Sequence, residues 1–223
     1  IERSRELYNR QGLSHLKDSY NESLHVWRLA DGRMVEFQSV QHEKDKTSQQ
    51  GRPRDLLCFD ELPEFNESIY RFVIGWNRST RPGQRCRVVS TGNPPQTVEG
   101  RWVISYWAPW LDRKHANPAQ PGELRWFAVL DGKDTEVPTR DPFTHRGELI
   151  TPRSRTFIPA RLKDNPILAA TGYLSVLQGM PEPMRTQLIE GDFLAGVQDD
   201  AWQCIPTAWV ELAMARWDPI PPE

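Results

Sequence analysis

Arg54-Asp55-Leu56-Leu57-Cys58-Phe59-Asp60-Glu61 is a short apolar run that stops at two acids. One basic segment later, Arg87-Val88-Val89-Ser90-Thr91-Gly92-Asn93-Pro94-Pro95 repeats the design with a different polar tip. Each has the pattern of a buried parallel strand that delivers side chains to the carboxyl edge of a sheet. Two such tips imply one shared site. The second tip adds a hydroxyl pair, a permissive glycine and an amide donor directly after a Val-Val core, and two prolines then stop any continuing structure.

Asp60-Glu61 has two readings. Carboxylates favour a helix amino terminus through the macrodipole, so one reading is a strand running into an acidic helix start. The other is phosphoryl transfer. In ATPases of the P-loop type the aspartate ending such a strand holds Mg²⁺, directly or through water, and a following glutamate positions and activates the attacking water. Asp60 and Glu61 fit those roles, and the second tip in this order favours the catalytic reading. The phosphate cradle of such enzymes, GxxxxGK[ST], wraps phosphates in successive backbone N–H groups while its lysine reaches the terminal ones. No segment of the 223 residues matches it. The expectation is that the chain does not hold ATP by itself and that an upstream part of the parent protein carries the loop.

Further blocks fall into an order. They are Gly32-Arg33-Met34-Val35-Glu36-Phe37-Gln38-Ser39, Gln50-Gly51-Arg52-Pro53-Arg54-Asp55, the two tips, Ser154-Arg155-Thr156-Phe157-Ile158-Pro159-Ala160, Asp164-Asn165-Pro166, and Gly179-Met180-Pro181-Glu182-Pro183-Met184-Arg185 leading to Glu190-Gly191-Asp192-Phe193. From about Gly32 to Trp202 this order resembles the large terminase subunit of tailed bacteriophages, the motor ATPase that pumps DNA into procapsids.

The resemblance implies an α/β fold: part of a P-loop NTPase (RecA/ASCE-like) parallel sheet with flanking helices, a β-hairpin insertion and a helical linker subdomain. Residues 1–160 would be the C-terminal part of the ATPase domain, and 161–223 a helical linker ahead of a nuclease domain that the chain lacks. It implies Glu61 as the catalytic base, Asp60 as the metal ligand, and Thr91, Gly92 and Asn93 as the coupling motif and phosphate sensor. Some terminases place an arginine near Gly51 that reaches a neighbouring subunit's ATP. Gln50 stands where that arginine is expected, leaving Arg52 or Arg54 to substitute, and solvated arginines flanking a strand are the alternative. Mg²⁺ and ATP would be the cofactor and substrate. The implied partners are double-stranded DNA, a portal protein, the small terminase subunit and further copies in a ring, in the host cytoplasm and transiently at the portal vertex. Two rival readings are a helicase-like P-loop ATPase and a non-catalytic DNA-binding or assembly module.

Composition adds bounds. A 38% hydrophobic, 10% aromatic chain has material for one core. The net charge of −2 makes no global case for nucleic-acid binding. Locally, residues 71–101 carry six arginines against one acid, Glu99. That excess suits DNA phosphates, and equally a solvated helix face or a subunit interface. Cys58, Cys86 and Cys204 are too few and too far apart for a disulfide framework or a zinc site, and the first two are expected to fill apolar strand positions. With no apolar run approaching the ~20 residues of a membrane span and no signal peptide, no membrane partner and an intracellular setting are expected.

The remaining expectations are local. Residues 1–20 read as a weak helix with a stripe of Leu7, Leu13 and Leu16. Residues 24–29 and 34–37 read as a hairpin across Asp31-Gly32, and 124–129 with 135–137 as another across Asp131-Gly132. Residues 41–50, with His42, read as an exposed loop, and 112–123 and 138–153 as surface loops. Residues 70–86 read as a helix running into a proline-glycine turn, and 101–107 as a strand. Trp102, Trp107, Trp110 and Trp126 are expected in the core. Residues 154–159 resemble the strand preceding the terminase linker, and Asp164-Asn165-Pro166 turns into a helix near Ile167. A further helix restarts with a proline of Pro181-Glu182-Pro183 in its first turn, shows Met184, Leu188 and Ile189 as its apolar face, and stops at Gly191.

Overall fold

The computed structural model describes residues 3–6, 20–29, 31–40, 42–196, 204–205 and 207–217, so the leucine stripe expected near the start, Leu7, Leu13 and Leu16, lies outside the described residues. The chain divides into two units, Ile1–Gln50 and Gly51–Glu223, and the expected division at 160 falls inside the second. Both the strands and the helices are short, and the class is mixed α/β with small sheets.

In the first unit β1 (Tyr20–Asn21), β2 (Val26–Arg28) and β3 (Met34–Glu36) form an antiparallel sheet in that order. Asp31-Gly32 makes the expected turn, with Gly32 at φ 83° and its N–H donated to Leu29 O at 2.9 Å. Val26 and Trp27, adjacent in β2 and so on opposite faces of the sheet, are both buried. The stretch expected as an exposed loop is instead a 3₁₀ helix, Glu43–Gln49. Its polar side chains close the turns locally: Asp45 accepts from His42 N–H at 3.0 Å, and the Thr47 and Ser48 hydroxyls donate back to Lys44 O and Asp45 O. Polar composition marked exposure correctly for most of it, while the short-range bonding of Asp, Ser and Thr made it helical.

The second unit contains the parallel pair. β4 (Leu56–Phe59) lies beside β5 (Arg87–Ser90) in the register Leu56↔Arg87 to Phe59↔Ser90. Helix α1 (Glu67–Ile74) makes the crossover; the Asn66 side chain caps it by accepting from Ile69 N–H at 2.9 Å, and it buries Ile69, Tyr70 and Val73. The expected helix of 70–86 therefore starts earlier and ends at Gly75. The strands are not covered on both faces: Phe59 is buried, but Leu56, Cys58 and Val89 on the other face are exposed. Cys58 thus fills no core position, and Cys86 is half-buried.

Residues 102–106 form helix α2 (Trp102–Tyr106), not a strand, followed by α3 (Ala108–Leu111) with Pro109 in its first turn. The β-branched and aromatic composition suggested a strand, but Val103, Tyr106 and Trp107 are the buried positions, a three-and-four spacing that only a helix presents on one face. Tyr70 sits at the centre of the aromatic core, 5.0 Å from the rings of Phe59 and Trp102 and 5.4 Å from Tyr106. Burial pushes its phenol far above the ordinary tyrosine range, and Tyr106 adds to the shift. The Trp102 and Trp107 indoles donate to Phe65 O and Thr156 O at 2.7 and 3.1 Å, so these rings are structural; of the four tryptophans expected in the core Trp107 is buried, while Trp102, Trp110 and Trp126 are half-buried.

Strands β6 (Arg125–Leu130) and β7 (Lys133–Val137) form the predicted hairpin, turning at Asp131 (φ 52°) and Gly132 (φ 75°). Within the stretch expected as loop, β8 (Phe143–His145) and β9 (Glu148–Ile150) make another hairpin across Arg146-Gly147. Its three-residue arms are too short and polar to show alternation. β10 (Arg153–Arg155) pairs antiparallel with β6, so the strand near 154 extends the hairpin sheet in the order β10-β6-β7. Arg155 sits between the Tyr106 and Phe127 rings, at 3.6 and 4.1 Å, and binds both oxygens of Asp134 at 2.5 Å.

Among the described residues four α-helices follow: α4 (Pro166–Ala169), α5 (Tyr173–Gln178), α6 (Met184–Glu190) and α7 (Thr207–Arg216). Asn165 caps α4, accepting from Leu168 N–H at 3.1 Å, and Gly191 ends α6 at φ 64°. α6 begins after Pro183, which is its N-cap, and the expected apolar face is corrected: Met184 is exposed and the buried residue is Gln187. No helix among the described residues is long and apolar enough to cross a membrane.

Candidate functional site

The register of the parallel pair builds the site. Because Phe59 is opposite Ser90, the next residues, Asp60 and Thr91, leave the sheet side by side. The ladder continues for one step, Thr91 N–H donating to Phe59 O at 2.9 Å, and Leu62 N–H then donates to Thr91 O at 2.8 Å. The Thr91 hydroxyl donates to Asp60 Oδ1 at 2.8 Å, fixing one carboxylate oxygen and leaving the residue exposed. Glu61 adopts the left-handed conformation, φ 52° and ψ 54°, which a non-glycine residue visits rarely. The reversal carries the chain into the Leu62–Glu64 turn and sets Glu61 Oε2 at 3.4 Å from the Asn93 backbone N–H. The five residues expected at the two tips are thus brought together.

Gly92 is needed for closeness. A Cβ there would stand 2.6 Å from Pro63 Cδ and 3.0 Å from Leu62 N, so the two tips interlock only because this position has no side chain. Pro94 and Pro95 are buried. Having no N–H, they cannot use a ladder to fix their position, and their carbonyls are met by side-chain amides: Gln96 Nε2 donates to Pro94 O at 3.1 Å and Gln187 Nε2 to Pro95 O at 3.3 Å. A cleft of about 180 Å³ lies beside the tips, lined by Glu61, Pro63, Asn93, Gln96, Met184 and Leu188. Helix α6 is one of its walls.

Arg52 and Arg54 are at the other end of β4. Arg54 Nη1 donates to Arg52 O at 2.9 Å, and its backbone pairs with Trp76 and Arg78. Arg54 stands six residues before Asp60 and Arg52 eight, which at ~3.3 Å per extended residue is roughly 20 Å or more, so on the same chain neither reaches the Asp60 carboxylate. Of the arginine run, Arg71 is held by Glu67 at 2.7 Å and Arg101 donates to Gly196 O at 3.2 Å. Arg78, Arg81, Arg85 and Arg87 are exposed, and among the described residues none of the four is ion-paired to a carboxylate. Asn77, buried beneath them, donates through Nδ2 to Arg54 O, Asp55 O and Arg87 O at 3.1, 3.3 and 3.1 Å, tying together the starts of both strands.

Among the described residues no group of three or more histidine, cysteine or acidic side chains is placed to hold a metal ion. Comparison of the chain with family models, with curated proteins and with solved structures found no match. Sequence reasoning missed Gln187, Gln96 and Asn77. For Gln96 a signal existed: two adjacent prolines leave carbonyls that some neighbouring donor must meet.

Proposed function

We propose that this chain carries the carboxylate and sensor half of a P-loop-type ATPase site, in the large subunit of a viral terminase that packages double-stranded DNA through a portal with its small-subunit partner. The observation that carries the reading is the pairing of the tips: Thr91 on Asp60 at 2.8 Å and the Asn93 N–H beside Glu61 at 3.4 Å, both at the carboxyl edge of a parallel pair.

Each residue has a task in that reading. Asp60 suits Mg²⁺, an ion that takes one or two carboxylates and fills its remaining positions with water and substrate phosphate oxygens. When bound with ATP, the ion supplies charge neutralisation at the terminal phosphates. Thr91 holds the Asp60 carboxylate in one orientation. Glu61 accepts the proton of the attacking water, and the Asn93 N–H directs its carboxylate into the cleft. The Asn93 amide reports whether a terminal phosphate is present.

Two measurements test this. Calorimetric titration of the chain with Mg-ATP should show no binding, since no segment supplies the phosphate cradle; micromolar binding and turnover would overturn that expectation. In the parent motor, Glu61→Gln should abolish hydrolysis and spare nucleotide binding, while Asn93→Ala should keep ATP binding and lose packaging in a DNA-protection assay. Unchanged turnover in Glu61→Gln would return Asp60-Glu61 to an acidic helix start.

A further inference from the structure

Gln187 is a glutamine with 3% of its surface exposed, on a helix whose other side chains are half-buried or exposed. Its amide is fully used. Nε2 donates to Ala195 O at 2.7 Å and to Pro95 O at 3.3 Å, and Oε1 accepts from Gln96 Nε2 at 2.7 Å. The orientation is forced: only the nitrogen can serve two carbonyl oxygens, so the oxygen must face Gln96. One side chain therefore ties three places together, namely the Pro94-Pro95-Gln96 loop behind Asn93, helix α6, and the turn at 192–196 after it.

That turn is held tightly against it. Gly196 would bring a Cβ within 2.6 Å of Pro183 Cγ, and Asp192 accepts from Arg113 at 2.8 Å. The loop side is different, because Pro94 and Pro95 offer no N–H for a backbone ladder, and Gln96 and Gln187 meet their carbonyls. Shifting the β5 tip requires Gln187 to break a buried hydrogen bond or to carry α6 along. Buried amides left without partners are costly, so the second course is favoured.

We propose that Gln187 is a positioning residue that latches helix α6 to the Asn93 loop, so that the loop sets the place of α6 and α6 sets the place of Asn93 beside Glu61. This rests on the ATPase reading for its catalytic consequence, while the latch itself is a property of the chain. Met184 and Leu188 lie one turn apart on the same helix and line the cleft, so moving α6 also reshapes the wall facing Glu61.

The test has two arms. In the chain itself, amide hydrogen exchange is compared for wild type, Gln187→Leu and Gln96→Leu. Both variants should speed exchange at Asn93 and at Leu62, whose N–H groups bond across the two tips, by about tenfold or more, Gln187→Leu should also speed it at Leu194 and Ala195, and the β6–β7 hairpin should be unaffected. Exchange unchanged at the loop, or raised equally across the hairpin, overturns the latch. In the parent motor, Gln187→Leu should lower kcat for ATP about tenfold at a KM within about twofold, since an interaction that positions the transition state is lost and nucleotide binding is not. Loss through KM alone overturns the positioning role. Absence of turnover in the unmutated parent counts against the ATPase reading instead, and it is told apart because wild type fails with the variant.

Discussion

At the scale of single residues, the tips depend on what Gly92 lacks. A Cβ at 2.6 Å from Pro63 Cδ and 3.0 Å from the Leu62 nitrogen has nowhere to go, because the obstacles are a proline ring and backbone rather than a flexible side chain. Gly92→Ala should therefore cost about 1–3 kcal/mol through overpacking, and should separate Thr91 from Asp60. Thermal unfolding checks the first part; a melting temperature equal to wild type would mean that the tips yield freely. The polar tip residues were legible because each followed an apolar run of strand length, and the glycine was legible too. Its reason was not: the sequence suggested a permissive conformation, and the structure shows a close approach. Gln187 was invisible for the opposite cause. A glutamine between Met184 and Leu188 looks like the solvated side of an amphipathic helix, and its burial follows from two prolines about ninety positions away in the chain, which no local pattern records.

At the scale of elements, the parallel pair is closed at both ends by polar side chains. Thr91 joins the carboxyl ends, and Asn77 joins the starts by donating to carbonyls of both strands. An amide NH₂ has two hydrogens and here meets three carbonyls, so one hydrogen is shared. Asn77→Ala leaves these buried acceptors unmet and should destabilise by about 2 kcal/mol, lowering the melting temperature by about 4–8 °C. A shift below about 1 °C would show that water replaces the amide at no cost. Elements whose signals lie in their own residues were read correctly: the Asp31-Gly32 and Asp131-Gly132 hairpins, the strand ending at Asp60, and the helix after Asn165. Residues 102–106 were misread because tryptophan, valine and isoleucine favour strands intrinsically, whereas burial at Val103, Tyr106 and Trp107 selects the helical period. The β8–β9 hairpin escaped because Arg146 takes a left-handed turn position that asparagine or aspartate usually announces.

At the scale of the whole molecule, charge is sorted along the parallel pair. The acids of the candidate site stand at the carboxyl ends, while Arg78, Arg81, Arg85 and Arg87 gather at the other end, where Asn77 pins the loop that carries them. Many arginines elsewhere in the second unit are matched to a carboxylate: Arg71 to Glu67, Arg113 to Asp192, Arg125 to Glu136 and Arg155 to Asp134. Four cations without such partners repel one another, and the net charge of −2 shows that the excess is local. Held on a fixed loop, they suit a row of phosphates better than scattered lysines would, because a guanidinium meets a phosphate through two parallel hydrogen bonds. If they meet the DNA backbone, binding to random-sequence duplex weakens with salt, and each Arg→Gln change flattens the log–log slope by about 0.9. The fourfold variant should therefore lose most of the salt dependence without lowering the melting temperature, since none of the four supports the core. Fluorescence anisotropy across a salt series measures it. A slope that survives all four changes would assign this surface to another subunit or to solvent, and would move the search for DNA contacts away from the start of the parallel pair.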